Sequence, residues 1–311
     1  MTDLRVRVGE LEFQNPVLLA AGTAAFGRAL DGVTELDSLG GVVTKAVSLA
    51  PRKGNAAPRV AEFDGGMLNA IGLANPGVDE VKRVELPWLA SHVTRARVVV
   101  NVVADRAEDF AEVVRQLEAG GEGSAIVSAY ELNVSCPNVK SGGTEFGADC
   151  ATLTAVVSGT RNATRKPVFV KLSPTLTDIG GAARVARDAG ADAITVINTL
   201  PGLVIDVDTL KPRIGFGSGG VSGVGLLPVG VLATHKVRGA VDIPIVGVGG
   251  VASAADALQY IIAGASLVAI GTAALRDPRA PERIARDLGR WCDARKVASI
   301  AELIGTLEWV K

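Results

Sequence analysis

The chain has 311 residues, 48% hydrophobic, 21% charged and only 4% aromatic, with 37 glycines and 14 prolines punctuating its apolar runs. That balance excludes a disordered chain. The 32 Lys and Arg against 33 Asp and Glu leave a net charge of −1, too little field to draw in nucleic acid. Three cysteines (Cys136, Cys150, Cys292) and two histidines (His92, His235) are too few and too scattered for a disulfide framework, a zinc site or an iron–sulfur cluster. Residues 1–7 lack the apolar stretch of a signal peptide. The uncharged stretches 214–234 and 257–275 are interrupted, the first by glycines and Pro228, the second at Ala263-Gly264-Ala265-Ser266. A cytoplasmic protein with no membrane attachment is expected.

In chain order, short apolar runs bounded by Gly or Pro occur at 16–21, 41–45, 97–103, 130–134, 168–172, 193–197, 245–248 and 267–271. Segments with helical spacing separate most of them, the pattern of βα units in a parallel sheet. Runs such as Ala193-Ile194-Thr195-Val196-Ile197 suit strands covered on both faces. Eight of them predict a closed (β/α)8 TIM barrel spanning 1–311 as one domain. The echo between 189–194 and 263–268, each with a helix-stopping glycine before a strand, fits that reading.

Two insertions interrupt the alternation. After the second run, turn formers Pro51, Gly54, Asn55, Pro58, Gly65 and Gly66 predict a long functional loop. After the sixth, 200–227 contains Gly215-Phe216-Gly217-Ser218-Gly219-Gly220, which matches G-x-G-x-x-G but has no strand before it and no helix directly after it. A flexible loop is expected there instead of a dinucleotide site.

Barrel chemistry sits at the C-terminal ends of the strands. Those ends read Gly22-Thr23, Thr44-Lys45, Asn101, Asn133 with Ser135-Cys136, Lys171, Asn198-Thr199, Gly249-Gly250 and Gly271-Thr272. The glycines after strands seven and eight suit a phosphate, because a backbone without Cβ lets N–H groups approach its oxygens. Lys45 and Lys171 are cations that an apolar barrel mouth would not bury without an anionic ligand. Cys136 lies in a proline-containing loop with no histidine near a strand end, so proton transfer fits it better than acyl transfer. Cys150 and Cys292 read as buried, inert thiols.

The segments Thr44-Lys45-Ala46, 69–77 (NAIGLANPG), 133–147 (NVSCPNVKSGGTEFG), Val170-Lys171-Leu172-Ser173-Pro174 and Asn198-Thr199-Leu200 together resemble the class 1 dihydroorotate dehydrogenases, most closely the FMN-bearing catalytic subunit of the NAD-linked class 1B enzymes. The resemblance covers nearly the whole chain. It implies oxidation of dihydroorotate to orotate in pyrimidine synthesis. FMN would contact Gly22, Lys45, Ala46, Asn101, Asn133, Lys171, Ile197, Gly223, Gly249, Gly250, Gly271 and Thr272. Orotate would contact Lys45, Asn69, Ala70, Ile71, Gly72, Leu73, Asn133, Asn198 and Thr199. Cys136 would act as the base, with Lys45 beside it in the catalytic site.

The resemblance further implies a partner subunit carrying FAD and [2Fe-2S], in a heterotetramer built on a homodimer of this chain. The cysteine base and a first strand beginning near residue 16 argue against the membrane-bound class 2 enzymes, and Val139-Lys140-Ser141-Gly142-Gly143 favours class 1B over the fumarate-linked class 1A. Where the family reads Ser-Gly-Pro-Ala-Ile, this chain has Ser222-Gly223-Val224-Gly225-Leu226, a substitution expected to loosen the loop around Gly223. A fumarate-dependent class 1A enzyme, a dehydrogenase of another dihydropyrimidine and a barrel that merely binds a phosphorylated ligand remain the alternatives.

Overall fold

In the computed structural model, which describes residues 2–135 and 145–309, eight parallel strands close into a barrel. They are Val17–Leu19, Gly41–Val43, Arg97–Val102, Val127–Asn133, Val168–Leu172, Ala193–Val196, Ile245–Val248 and Leu267–Ile270. Neighbours in the chain are neighbours in the sheet, and Val268↔Val17 and Ile270↔Leu19 close the ring. Val168–Leu172, Ala193–Val196, Ile245–Val248 and Leu267–Ile270 are buried at every position. The barrel interior lies on one face and a layer of helices on the other, which is why these segments read as unbroken apolar runs.

The outer layer includes helices Ala107–Glu118, Cys150–Arg161, Ile179–Asp188, Leu227–Arg238, Ala254–Ala263 and Ala280–Ala294. Three start at side-chain caps: Asp149 accepts from the Thr152 N–H, Asp178 from Gly181 and Ser253 from Asp256. The repeated helix–Gly–strand junction is present at Gly190 (φ +107°) and Gly264 (φ +124°). In both places the left-handed backbone ends a helix and aims the chain back into the barrel.

The antiparallel hairpin Val6–Val8/Leu11–Phe13, unforeseen in the sequence reading, precedes the first barrel strand and buries Val8 and Phe13 completely. Cys150 also departs from expectation. It is exposed, whereas Cys292 is buried as read. Cys150 opens its helix next to exposed Ala148, Asp149 and Ala151, ahead of the buried face formed by Leu153, Val156, Val157 and Thr160.

The two insertions are not separate loops. Val60–Phe63 and Gly66–Asn69 form a hairpin through Asp64-Gly65, and Gly66–Asn69 pairs antiparallel with Gly219–Ser222, which pairs with Leu200–Gly202. The result is one four-stranded sheet with its own small core of Ala61, Leu68 and Ile214. The glycine-rich hexapeptide therefore ends in a strand. Gly219 and Gly220 lie where a Cβ would meet the Asn69 carbonyl oxygen at 2.4 Å and the Thr199 hydroxyl at 2.0 Å, so these glycines serve close backbone packing.

Candidate functional site

The strand ends and the four-stranded sheet enclose a cavity of about 730 Å³. Every expected site residue within the described segments lines it: Gly22, Lys45, Ala46, Asn69, Ala70, Ile71, Gly72, Leu73, Asn101, Asn133, Lys171, Ile197, Asn198, Thr199, Gly223, Gly249, Gly250, Gly271 and Thr272. Cys136 and the 139–143 stretch lie outside the described residues.

One side of the cavity is an amide cluster at the ends of the fourth and sixth strands. The Asn198 Nδ2 donates to the Ser135 hydroxyl (2.6 Å), and that hydroxyl donates to Asn133 Oδ1 (3.0 Å). Asn198 Oδ1 in turn accepts the Thr199 N–H at 2.8 Å. The chain of donors fixes both amides and leaves the Asn133 Nδ2 free among the described residues to donate to a ligand. Asn69 crosses from the upper sheet, tied by its Nδ2 to the Gly220 carbonyl at 3.1 Å.

Deeper in the barrel lies a network that sequence reasoning missed. Glu131, 2% exposed, accepts from the Asn101 Nδ2 (2.7 Å) and the Thr195 hydroxyl (2.9 Å). Committing Nδ2 to the carboxylate leaves the buried Asn101 Oδ1 without a partner. An orphaned buried acceptor is costly unless a ligand donates to it. The signal for Glu131 was its position two residues before Asn133, on the same face of an otherwise apolar strand.

Lys45 and Lys171 both reach the cavity, and neither forms an ion pair among the described residues. Lys171 is 7% exposed. Burial lowers the Lys45 pKa from its usual 10.5, and the Arg59 guanidinium lowers it further. Backbone bonds hold Lys45 in place: its N–H donates to the Ala25 carbonyl (2.7 Å), and its own carbonyl accepts the Thr44 hydroxyl (2.9 Å). Two lysines that pair with no carboxylate among the described residues give the cavity the charge to receive an anion.

At the end of the seventh and eighth strands, Gly249 (φ +127°) and Gly250 (φ +77°) adopt backbone conformations that other residues take only with strain. Thr272 reaches across to the upper sheet, its hydroxyl donating to the Ser222 hydroxyl at 2.8 Å. Gly223 keeps its place in the wall at φ +106° despite the missing proline, packed so that a Cβ would stand 2.6 Å from the Gly66 Cα. A further carboxyl unforeseen in the sequence, Glu145, lines the rim; burial raises its pKa, opposed by the Ser173 and Thr175 hydroxyls.

Lysines, amides and glycines thus meet at the C-terminal ends of the strands, the face where barrels of this kind carry their sites. The family model for dihydroorotate dehydrogenase matches residues 3–291. A Pelobacter propionicus protein named as the catalytic subunit of dihydroorotate dehydrogenase B (NAD+) is 43% identical over 306 residues, 98% of this chain and 99% of its own. A Trichlorobacter lovleyi protein of the same name is 43% identical over 98% of both chains. A Solibacter usitatus protein provisionally named dihydroorotate dehydrogenase A (fumarate) is 42% identical over 96% of both. The chain belongs to the dihydroorotate dehydrogenase family. Among the described residues no helix is long and apolar enough to cross a membrane, and no group of three His, Cys, Asp or Glu could hold a metal.

Proposed function

We propose that the chain, 1–311, is the FMN-binding barrel of a class 1B dihydroorotate dehydrogenase. It oxidises dihydroorotate to orotate for pyrimidine synthesis in the cytoplasm and delivers electrons to NAD through a partner subunit bearing FAD and [2Fe-2S]. The observation that carries this reading is the convergence of Lys45, Lys171 and the amides of Asn69, Asn101, Asn133 and Asn198 on one cavity, in a chain whose near-full-length relatives include proteins named as that catalytic subunit.

The residues fit FMN. The orphaned Asn101 Oδ1 needs a donor such as a ring N–H. Gly22 has open space where its Cβ would be, so its backbone is accessible to a flat ring. Gly249, Gly250, Gly271 and Thr272 would take the phosphate. Ala46, Ile197 and Gly223 would form walls, with Lys171 placing a cation against the electron-rich edge of the ring. When bound, FMN supplies the acceptor for the hydride that leaves C6 of dihydroorotate.

The chain's own groups do the remaining work. Lys45 carries the charge that pairs with the substrate carboxylate. The Asn69–Leu73 segment, Asn133, Asn198 and Thr199 match the alternating donors and acceptors of the pyrimidine ring, since each amide offers both. Cys136, as a thiolate, takes the proton from C5. The assembly is two copies of this chain with two copies of the partner.

The Solibacter relative makes a fumarate-linked enzyme the second reading. The visible spectrum of the purified chain separates the two. A yellow protein bleached by anaerobic dihydroorotate, and reoxidised by neither fumarate nor NAD alone, is expected. Reoxidation by fumarate assigns class 1A, an unbleached flavin assigns another dihydropyrimidine, and a colourless protein assigns a ligand-binding barrel without redox chemistry.

A further inference from the structure

Tyr260, on helix Ala254–Ala263, is completely buried, and its hydroxyl donates to the Gly249 carbonyl at 2.7 Å. Two glycines make room for it. A Cβ on Gly230, in helix Leu227–Arg238, would lie 1.8 Å from the phenol oxygen, and one on Gly247, in the seventh strand, 2.3 Å from the ring Cδ1. The ring is thus keyed between a helix and the barrel wall with its hydroxyl delivered to one peptide unit.

That unit is the one joining Gly249 to Gly250. In a trans peptide the C=O and the following N–H point in opposite directions, so holding one oxygen outward turns the next N–H inward. The Gly250 N–H has no acceptor among the described residues, and Gly250 lines the cavity. Because the flanking residues are both glycine in left-handed conformations, the peptide plane has little intrinsic resistance to turning over. Flipped, it would present a carbonyl oxygen to the cavity in place of a donor.

We propose that Tyr260 is a positioning residue for phosphate recognition: by anchoring the Gly249 carbonyl it keeps the Gly250 N–H aimed into the cavity, toward the phosphate monoester of the flavin. The inference rests on the reading that FMN occupies this cavity with its phosphate at Gly249–Gly250. Burial and the nearby Asp256 carboxylate push the phenol's pKa upward, so the hydroxyl remains a donor across the physiological range.

The test compares FMN with riboflavin, which lacks the phosphate, by titrating flavin fluorescence against the full-length protein stripped of flavin. Tyr260→Phe keeps the ring and removes only the hydroxyl. We expect it to weaken FMN binding about tenfold, the equivalent of one hydrogen bond of about 1.4 kcal/mol, with riboflavin affinity unchanged. Gly230→Ala, which displaces the hydroxyl while retaining the tyrosine, should show the same FMN-selective loss, and it stands in if Tyr260→Phe does not fold. Equal loss for both flavins, or loss for neither, overturns the positioning role. A wild-type protein that binds FMN no better than riboflavin overturns the phosphate reading first, and this inference with it.

Discussion

The Asn101–Glu131–Thr195 network supports a quantitative prediction. Glu131→Gln and Glu131→Leu both replace the buried carboxyl group, so the cost of losing it is common to the two, and their difference reports the hydrogen bonds. Gln can accept from the Asn101 Nδ2 with its oxygen and donate from its amide to the Thr195 hydroxyl, which is both donor and acceptor. Leu can do neither. It strands the Asn101 Nδ2 beside an Oδ1 already without a partner, at about 1–3 kcal/mol for an unsatisfied buried donor. It also forfeits the bond to Thr195, about 0.5–1.5 kcal/mol. The Leu variant should therefore be about 3 kcal/mol less stable than the Gln variant in urea unfolding followed by circular dichroism. Adding Thr195→Val to the Leu variant should recover about 1 kcal/mol by removing the stranded hydroxyl. A Leu variant as stable as the Gln variant would refute the claim that Glu131 serves as an acceptor for these two groups.

Two further outcomes concern the reaction itself. Cys136→Ala should retain flavin yet lose most of its reduction by dihydroorotate in anaerobic stopped flow, because general-base assistance contributes about 10²–10⁴-fold; near-normal reduction would remove the thiol from the mechanism. Orotate affinity should decline as pH rises through the Lys45 pKa, and the decline should begin below 10.5, because burial and Arg59 both favour the neutral amine and only the protonated form pairs with a carboxylate. Spectral titration with orotate between pH 7 and pH 10 measures this, and a profile identical to that of Lys45→Met would contradict the ion pair.

The barrel was legible because its signals are local. An apolar run between breakers, as in Val168–Leu172, reports a strand covered on both faces, and a polar residue at its end, as in Lys171, reports the active face of the fold. The Asp64-Gly65 hairpin was missed: an Asp-Gly pair between strands is a strong turn signal, yet the glycines and prolines around it made the segment read as loop. The exposed Cys150 was misread for a similar reason: residue type alone does not tell which residue of a helix escapes burial.

The sequence by itself determined the eight strands, their order, and the lysines, asparagines and glycines that end them, because strand period and chain breakers act over a few residues. Only the tertiary structure decided that residues 60–69, 200–202 and 219–222 form one sheet over the barrel mouth, since Asn69 and Gly220 stand 151 positions apart and nothing local announces their pairing. It likewise decided which way the polar atoms point. Glu131 turns Asn101 into a free acceptor and Tyr260 turns Gly250 into a free donor through hydrogen bonds that cross from one element to another, and such partners exist only once the barrel has closed.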